Sequence, residues 1–206
     1  MAAAAAKIVA ARTAFLLCDL QTAFRTAIYS FDDVEATAGK MLRAAKIFEI
    51  PVLLTEQNPK ALGTTVATLP LEALHDSKLL HGPWPKKKFS MVIPELQACL
   101  KERGVQDVVL FGIESHICVL QTALDLLRES YSVHVLADGI SSCNKGERSI
   151  AISTMREAGA RVTTSESVLY QLMEDASDPR FKTFVTLIKD EKARTQQTSA
   201  NLLEDL

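Results

Sequence analysis

Short aliphatic or β-branched runs alternate along this chain with longer segments whose apolar residues recur every three or four positions. The runs at 13–18, 51–55, 107–111, 132–137 and 161–164 have the length and composition of strands. The segments at 32–48, 94–103, 115–130, 145–158 and 166–176 carry the helical period, and 178–189 is expected to add one more helix. Strands alternating with helices predict an α/β fold of three layers, α/β/α, with a mainly parallel, Rossmann-like sheet covered on both faces. In such sheets ligands bind beyond the carboxyl ends of the strands. Asp19, Glu56, Glu114 and Asp138 each end or follow one of the first four strands, so these acids are expected to face one rim.

Between the second and third predicted strands, 57–88 is the least regular stretch, punctuated by Pro59, Gly63, Pro70, Gly82, Pro83 and Pro85. A loop this long in a compact domain is usually functional or mobile. Residues 13–189 are read as one domain, 1–12 as a frayed N-terminus and 190–206 as a polar C-terminal tail.

Composition narrows the class. The chain has 206 residues, 48% of them hydrophobic, enough for a core that needs no staples. Cys18, Cys99, Cys118 and Cys143 show no Cys-x-x-Cys spacing, which points to a reducing compartment and a cytoplasmic location. The alanine tract before Lys7 and Arg12 lacks the serines and multiple arginines of a mitochondrial leader, so mitochondrial association has weak support. A net charge of −2 presents no basic field to nucleic acid or membrane. The apolar runs are too short to span a bilayer. Neither Gly-x-Gly-x-x-Gly nor a phosphate-cradling Gly-Lys-Ser/Thr occurs, and His75, His81, His116 and His134 lack metal-binding spacing. No cofactor and no metal are expected.

The candidate chemistry begins at Cys118. The strand-like Val108-Val109-Leu110-Phe111 ends at Gly112 and a helical pattern starts at Ser115, which places the thiol in the first helical turn with Ser115 as cap. Unpaired N–H groups and the positive end of the helix dipole stabilise a thiolate there; a buried cysteine is also a common small core residue. Asp19 follows Phe15-Leu16-Leu17-Cys18 directly, a rigid position for a general base, although Asp is equally a common turn cap. Within Lys86-Lys87-Lys88-Phe89-Ser90, one lysine turned inward could stabilise a thiolate or an oxyanion. His116 lies two residues before Cys118 and points elsewhere on a helix.

Together, Asp19-Leu20-Gln21-Thr22-Ala23-Phe24, Lys86-Lys87-Lys88-Phe89-Ser90 and Gly112-Ile113-Glu114-Ser115-His116-Ile117-Cys118-Val119 resemble the isochorismatase-like cysteine hydrolase superfamily in order and spacing. The likeness is closest to its eukaryotic isochorismatase-domain-containing proteins, through Thr55-Glu56-Gln57-Asn58-Pro59-Lys60 and Phe89-Ser90-Met91-Val92. The resemblance implies Asp19 as proton acceptor, Lys86 as the third member and Cys118 as nucleophile. It also implies a cis peptide at Ile113-Glu114, with Ile113, Glu114 and Cys118 around an oxyanion, and a pocket drawing on Phe24, Glu56, Gln57, Trp84 and Ser115. Nicotinamidases of the superfamily hold a metal with an Asp and histidines after the second strand, where this chain has Thr55-Glu56-Gln57. Glu114 stands where many relatives have a small residue.

The resulting expectation is a cysteine-dependent hydrolase of a small amide or carbamoyl-type substrate, working through a thioester on Cys118. The alternative is a binding or assembly protein that kept the fold with weak catalysis. Vinyl-ether hydrolysis and nucleic-acid processing rank below both. The partners expected are a small-molecule substrate and further copies of the chain in a dimer or tetramer, with no nucleic acid and no membrane.

Overall fold

The computed structural model describes residues 7–204 and 206. The six strands are β1 (Thr13–Cys18), β2 (Val52–Gln57), β3 (Leu80–Lys86), β4 (Asp107–Ile113), β5 (Ser132–Ser141) and β6 (Arg161–Thr163). The helices are α1 (Phe31–Phe48), α2 (Pro59–Leu62), α3 (Glu72–Asp76), α4 (Pro94–Glu102), α5 (Leu120–Arg128), α6 (Lys145–Glu157), α7 (Ser165–Met173) and α8 (Phe181–Leu203). All neighbouring strands pair in parallel, in the order β3-β2-β1-β4-β5-β6. Connections leave β1 toward β2 on one side, whereas β4 lies on its other side, so the topological switch point falls between β1 and β4.

The period of two in β1 divides the core. Phe15 and Leu17 join an apolar cluster with α1, α7 and α8, whereas Ala14, Leu16 and Cys18 join one with α4, α5 and α6. Every residue of β1 and β4 is buried, as expected of central strands covered on both faces. Gly112 is required at this junction. It pairs with Cys18, has φ 132, and an added Cβ would lie 2.2 Å from the Cys18 carbonyl oxygen.

Two expectations of organisation are corrected. The irregular 57–88 stretch contains a strand, β3, masked in the sequence by Gly82, Pro83 and Pro85. It lies at the sheet edge, where proline removes no needed ladder donor. Residue 205 lies outside the described residues, and within the expected tail at 190–206 residues 190–203 are instead the second half of α8, docked on α1. Its polar residues hid this because they are engaged: Thr198 Oγ1 and Asn201 Nδ2 donate to Asp33 at 3.1 and 2.7 Å. Arg148 donates to the Leu202 carbonyl at 2.6 Å, and Leu202 itself is buried. Of the expected frayed N-terminus, residues 1–6 lie outside the described residues, Ile8 is buried and Ala10–Arg12 form a 3-10 turn.

His134 in β5 makes the fold sensitive to acid. Burial, and then the Arg161 charge, push its imidazole below the ordinary 6.5, against the pull of Asp107. The unfolded chain therefore takes up a proton that the native state refuses. The contribution to stability is complete above about 6.5 and is lost as pH falls from there through the depressed native value. Thermal melts across that range should show Tm falling with acidification, and less steeply in His134→Gln; identical slopes would remove His134 as the cause.

Candidate active site

The turn that carries the thiol departs from the expected helix start. Ser115–Val119 is a π-helical turn leading into α5, and the residue in the cap position is Glu114, at φ 61, with no side-chain cap bond. Insertions of this kind are frequent at functional sites. The Glu114 carbonyl accepts from the N–H groups of Ile117 and Val119, at 3.0 and 3.1 Å, and so organises the residues flanking Cys118. Thr122 Oγ1 then donates to the Cys118 carbonyl at 2.6 Å and accepts from Met91 N–H at 2.9 Å, tying the turn to the segment before α4. The cis bond expected at Ile113-Glu114 is absent. The chain reverses there through the left-handed conformation of Glu114, and the cis peptide among the described residues is Gly82–Pro83.

Asp19, Lys86 and Cys118 converge. Asp19 leaves β1 with φ 50 and Lys86 is the last residue of β3. Lys86 Nζ lies 2.6 Å from Asp19 Oδ2 and 3.9 Å from Cys118 Sγ. All three residues are buried, at 1%, 5% and 5% exposure respectively. Burial disfavours the Lys86 charge, but Cys18, Asp19 and Cys118 outweigh it and hold the ammonium above its ordinary value. Gln57 Oε1 at 2.7 Å, the Phe89 carbonyl at 2.8 Å and the Lys88 carbonyl at 3.2 Å also surround the ammonium and share its three N–H donors with Asp19. The two other lysines of the run are not in the cluster: Lys88 pairs with Asp125 at 2.8 Å, and Lys87 is exposed.

Four participants were not foreseen. Thr55 Oγ1 donates to Asp19 Oδ1 at 2.8 Å. Gln21 accepts from Gln57 N–H at 2.7 Å and donates to the Gln57 carbonyl at 3.0 Å, which fixes the residue that orients Lys86. The Phe89 backbone completes the ammonium's cradle. Cys18 lies with Sγ 3.6 Å from Asp19 Oδ2; burial first, then a hydrogen bond with Cys118 and the Asp19 charge, hold its thiol well above the usual cysteine range. The adjacency of Cys18 to Asp19 and the Asp19-Leu20-Gln21 spacing were the available signals. Neither says which side chains meet across strands.

The remaining predicted residues separate. Glu56 accepts from Thr65 N–H and Oγ1 at 2.7 and 2.9 Å and so pins the loop after β2. Asp138 caps α7, accepting from Ser165 N–H at 2.8 Å and from the Ser165 hydroxyl. Glu56 and Asp138 therefore hold local structure and are not hydrogen-bonded into the Asp19–Lys86–Cys118 cluster. Phe24 packs on the α1 side of the sheet and Trp84 on the α5 side. Gln57 is a lysine partner, and Ser115 is buried, its Oγ without a hydrogen-bond partner. His116 Nδ1 meets Ser142 Oγ at 3.0 Å. A cavity of about 650 Å³ at the opposite end of the strands, lined by Thr13, Pro51, Arg103 and Arg180, shares no residue with this cluster.

The family model of the isochorismatase domain matches residues 13–167. This chain belongs to the isochorismatase family. Within that family it is 46% identical over 180 residues to the zebrafish (Danio rerio) isochorismatase domain-containing protein 1, covering 87% of this chain and 62% of the relative, so it spans less than two thirds of that relative's length. It is 42% identical to the mouse (Mus musculus) isochorismatase domain-containing protein 2A over 92% of this chain and 90% of the relative. A solved structure described as the MAR1 ribonuclease of Caenorhabditis elegans superposes with a TM-score of 0.80 at 41% identity, covering 89% of this chain and 93% of the other. Family membership places this chain in the isochorismatase-like hydrolase superfamily. No helix among its described residues is long and apolar enough to cross a membrane.

Proposed function

We propose that this isochorismatase-family chain is a cysteine-dependent hydrolase of a small amide or carbamoyl-type substrate, acting through a thioester on Cys118. The observation that carries the reading is the single ammonium, Lys86 Nζ, held 2.6 Å from Asp19 and 3.9 Å from Cys118 in a buried site. Asp19 takes the thiol proton, and Lys86 stabilises the thiolate across a low-dielectric gap. Sγ attacks the carbonyl carbon, and N–H groups of the 115–118 turn, other than that of Ile117 which donates to the Glu114 carbonyl, hold the oxyanion. The tetrahedral intermediate collapses as the C–N bond breaks, the leaving amine taking the proton from Asp19. Water, deprotonated by Asp19, then cleaves the thioester and regenerates the thiol.

The name of the Caenorhabditis relative raises RNA cleavage as a competing reading. The three reacting groups are almost wholly enclosed and the chain is net acidic, which favours a compact neutral substrate over a polyanion. A panel of small amides and carbamoyl compounds, quenched in acid during turnover and mapped by mass spectrometry, should reveal an acyl adduct on the Cys118 peptide. Turnover without any such adduct, or RNA cleavage unaffected by Cys118→Ala, would overturn the assignment.

A further inference from the structure

Next to the Asp19–Lys86–Cys118 cluster, but separate from it, a second set of reactive groups converges. A carboxylate oxygen of Glu114, a ring nitrogen of His116 and Sγ of Cys143 lie within 4.8 Å of one another. Glu114 and His116 belong to the turn after β4, and Cys143 to the loop between β5 and α6, so only the tertiary fold unites them.

The carboxylate is the informative member. Its side chain is 12% exposed, and Oε2 is screened from solvent without a hydrogen-bond partner, while the Cys143 thiol lies close enough to interact with the carboxylate. His116 Nδ1 stands 3.4 Å away, in ion-pair range, but that nitrogen is already engaged with Ser142 Oγ at 3.0 Å. A buried, unsatisfied carboxylate oxygen is costly unless something neutralises it. Here the adjacent groups are an imidazole and a thiol, which as donors suit a cation and as neighbours supply little fixed positive charge.

We propose that Glu114, His116 and Cys143 form a three-ligand site for a zinc-class divalent cation, with the fourth position open. Thiolate, imidazole and carboxylate together suit zinc, whereas magnesium and calcium take oxygen ligands. Tetrahedral bonds of about 2.0–2.3 Å place ligands roughly 3.3–3.7 Å apart, so the group must contract by about 1 Å. Cys143 is exposed on a loop and is the ligand free to move. Binding displaces the Cys143 thiol proton to solvent. Because the Glu114 carbonyl organises the turn around Cys118, an ion held here fastens that turn to the β5–α6 loop without entering the reaction.

Cobalt(II) added to the reduced full-length protein reports the ligands directly. A thiolate-to-cobalt charge-transfer band saturating at one equivalent is expected in the wild type and in Cys118→Ala. It should vanish in Cys143→Ala, and the affinity should fall at least tenfold in Glu114→Gln. Absence of the band, or its survival in Cys143→Ala with loss in Cys118→Ala, overturns the site; the second result would assign the metal to the nucleophile candidate. A measurement without variants stands beside it. Zinc should slow iodoacetamide labelling of Cys143 at least tenfold with Cys99 as internal reference, and an unchanged rate refutes the proposal. Neither readout depends on hydrolysis, so failure of the metal site and failure of the thioester mechanism are distinguishable.

Discussion

Replacing Cys118 by alanine is expected to lower hydrolysis of any amide the wild type turns over by at least ~10³-fold, and to remove the acyl adduct. The size of the effect follows from the loss of the attacking atom, which no neighbour replaces. Cys18 is the nearest rival and is disqualified by its surroundings: fully buried, it is held protonated by desolvation, by its contact with Cys118 and by Asp19. Cys18→Ala should therefore retain the adduct on Cys118. A pre-steady-state burst followed by peptide mapping measures both variants. Full activity in Cys118→Ala, or an adduct that moves to Cys18 in the wild type, would end the thioester mechanism.

The second large effect separates stability from catalysis at the buried ion pair. Asp19 and Lys86 side chains are 2% and 0% exposed at 2.6 Å. Removing one member leaves the other charged and enclosed, which costs about 3–5 kcal/mol in comparable pairs. Asp19→Asn keeps an acceptor for Thr55 but strands the ammonium; Lys86→Met strands the carboxylate. Each single variant should show that loss in denaturant midpoint, together with a fall in turnover of at least ~10³-fold. The double variant, Asp19→Asn with Lys86→Met, should recover most of the stability, because a neutral amide and a thioether need no counter-charge. It should recover none of the activity, since the proton acceptor and the thiolate's partner are both gone. A double variant that regains turnover would show that the pair serves the fold alone.

The pairing also explains why the run of three lysines resolves as it does. Lys86 is the last residue of β3, and the strand's end aims it at Asp19 across β2. Lys87 and Lys88 follow the turn outward, and Lys88 finds Asp125 on α5. The spacing to Phe89-Ser90 had selected Lys86 only through a family likeness; the strand that enforces it was hidden by prolines.

Much of this protein was legible in its residues because strands and helices bury faces with different periods. The run at Thr13–Cys18 marks β1 and the alternation gives the α/β layering, whereas the grouping of Asp19, Lys86 and Cys118 comes from the resemblance to a family and not from periodicity. What was not legible depended on contacts between segments far apart in the chain. β3 survives its prolines because it is an edge strand. The last turns of α8 are ordered by Asp33 and Arg148, so a polar sequence became a docked helix. Glu114 carries the turn by a left-handed backbone rather than a cis bond. The grouping of Glu114 with His116 and Cys143 shows the limit best. Local sequence determines which residues end a strand or start a turn. Only the tertiary fold decides which of those ends meet, because side chains interact through space and the periodicity of one segment carries no information about its neighbours' register.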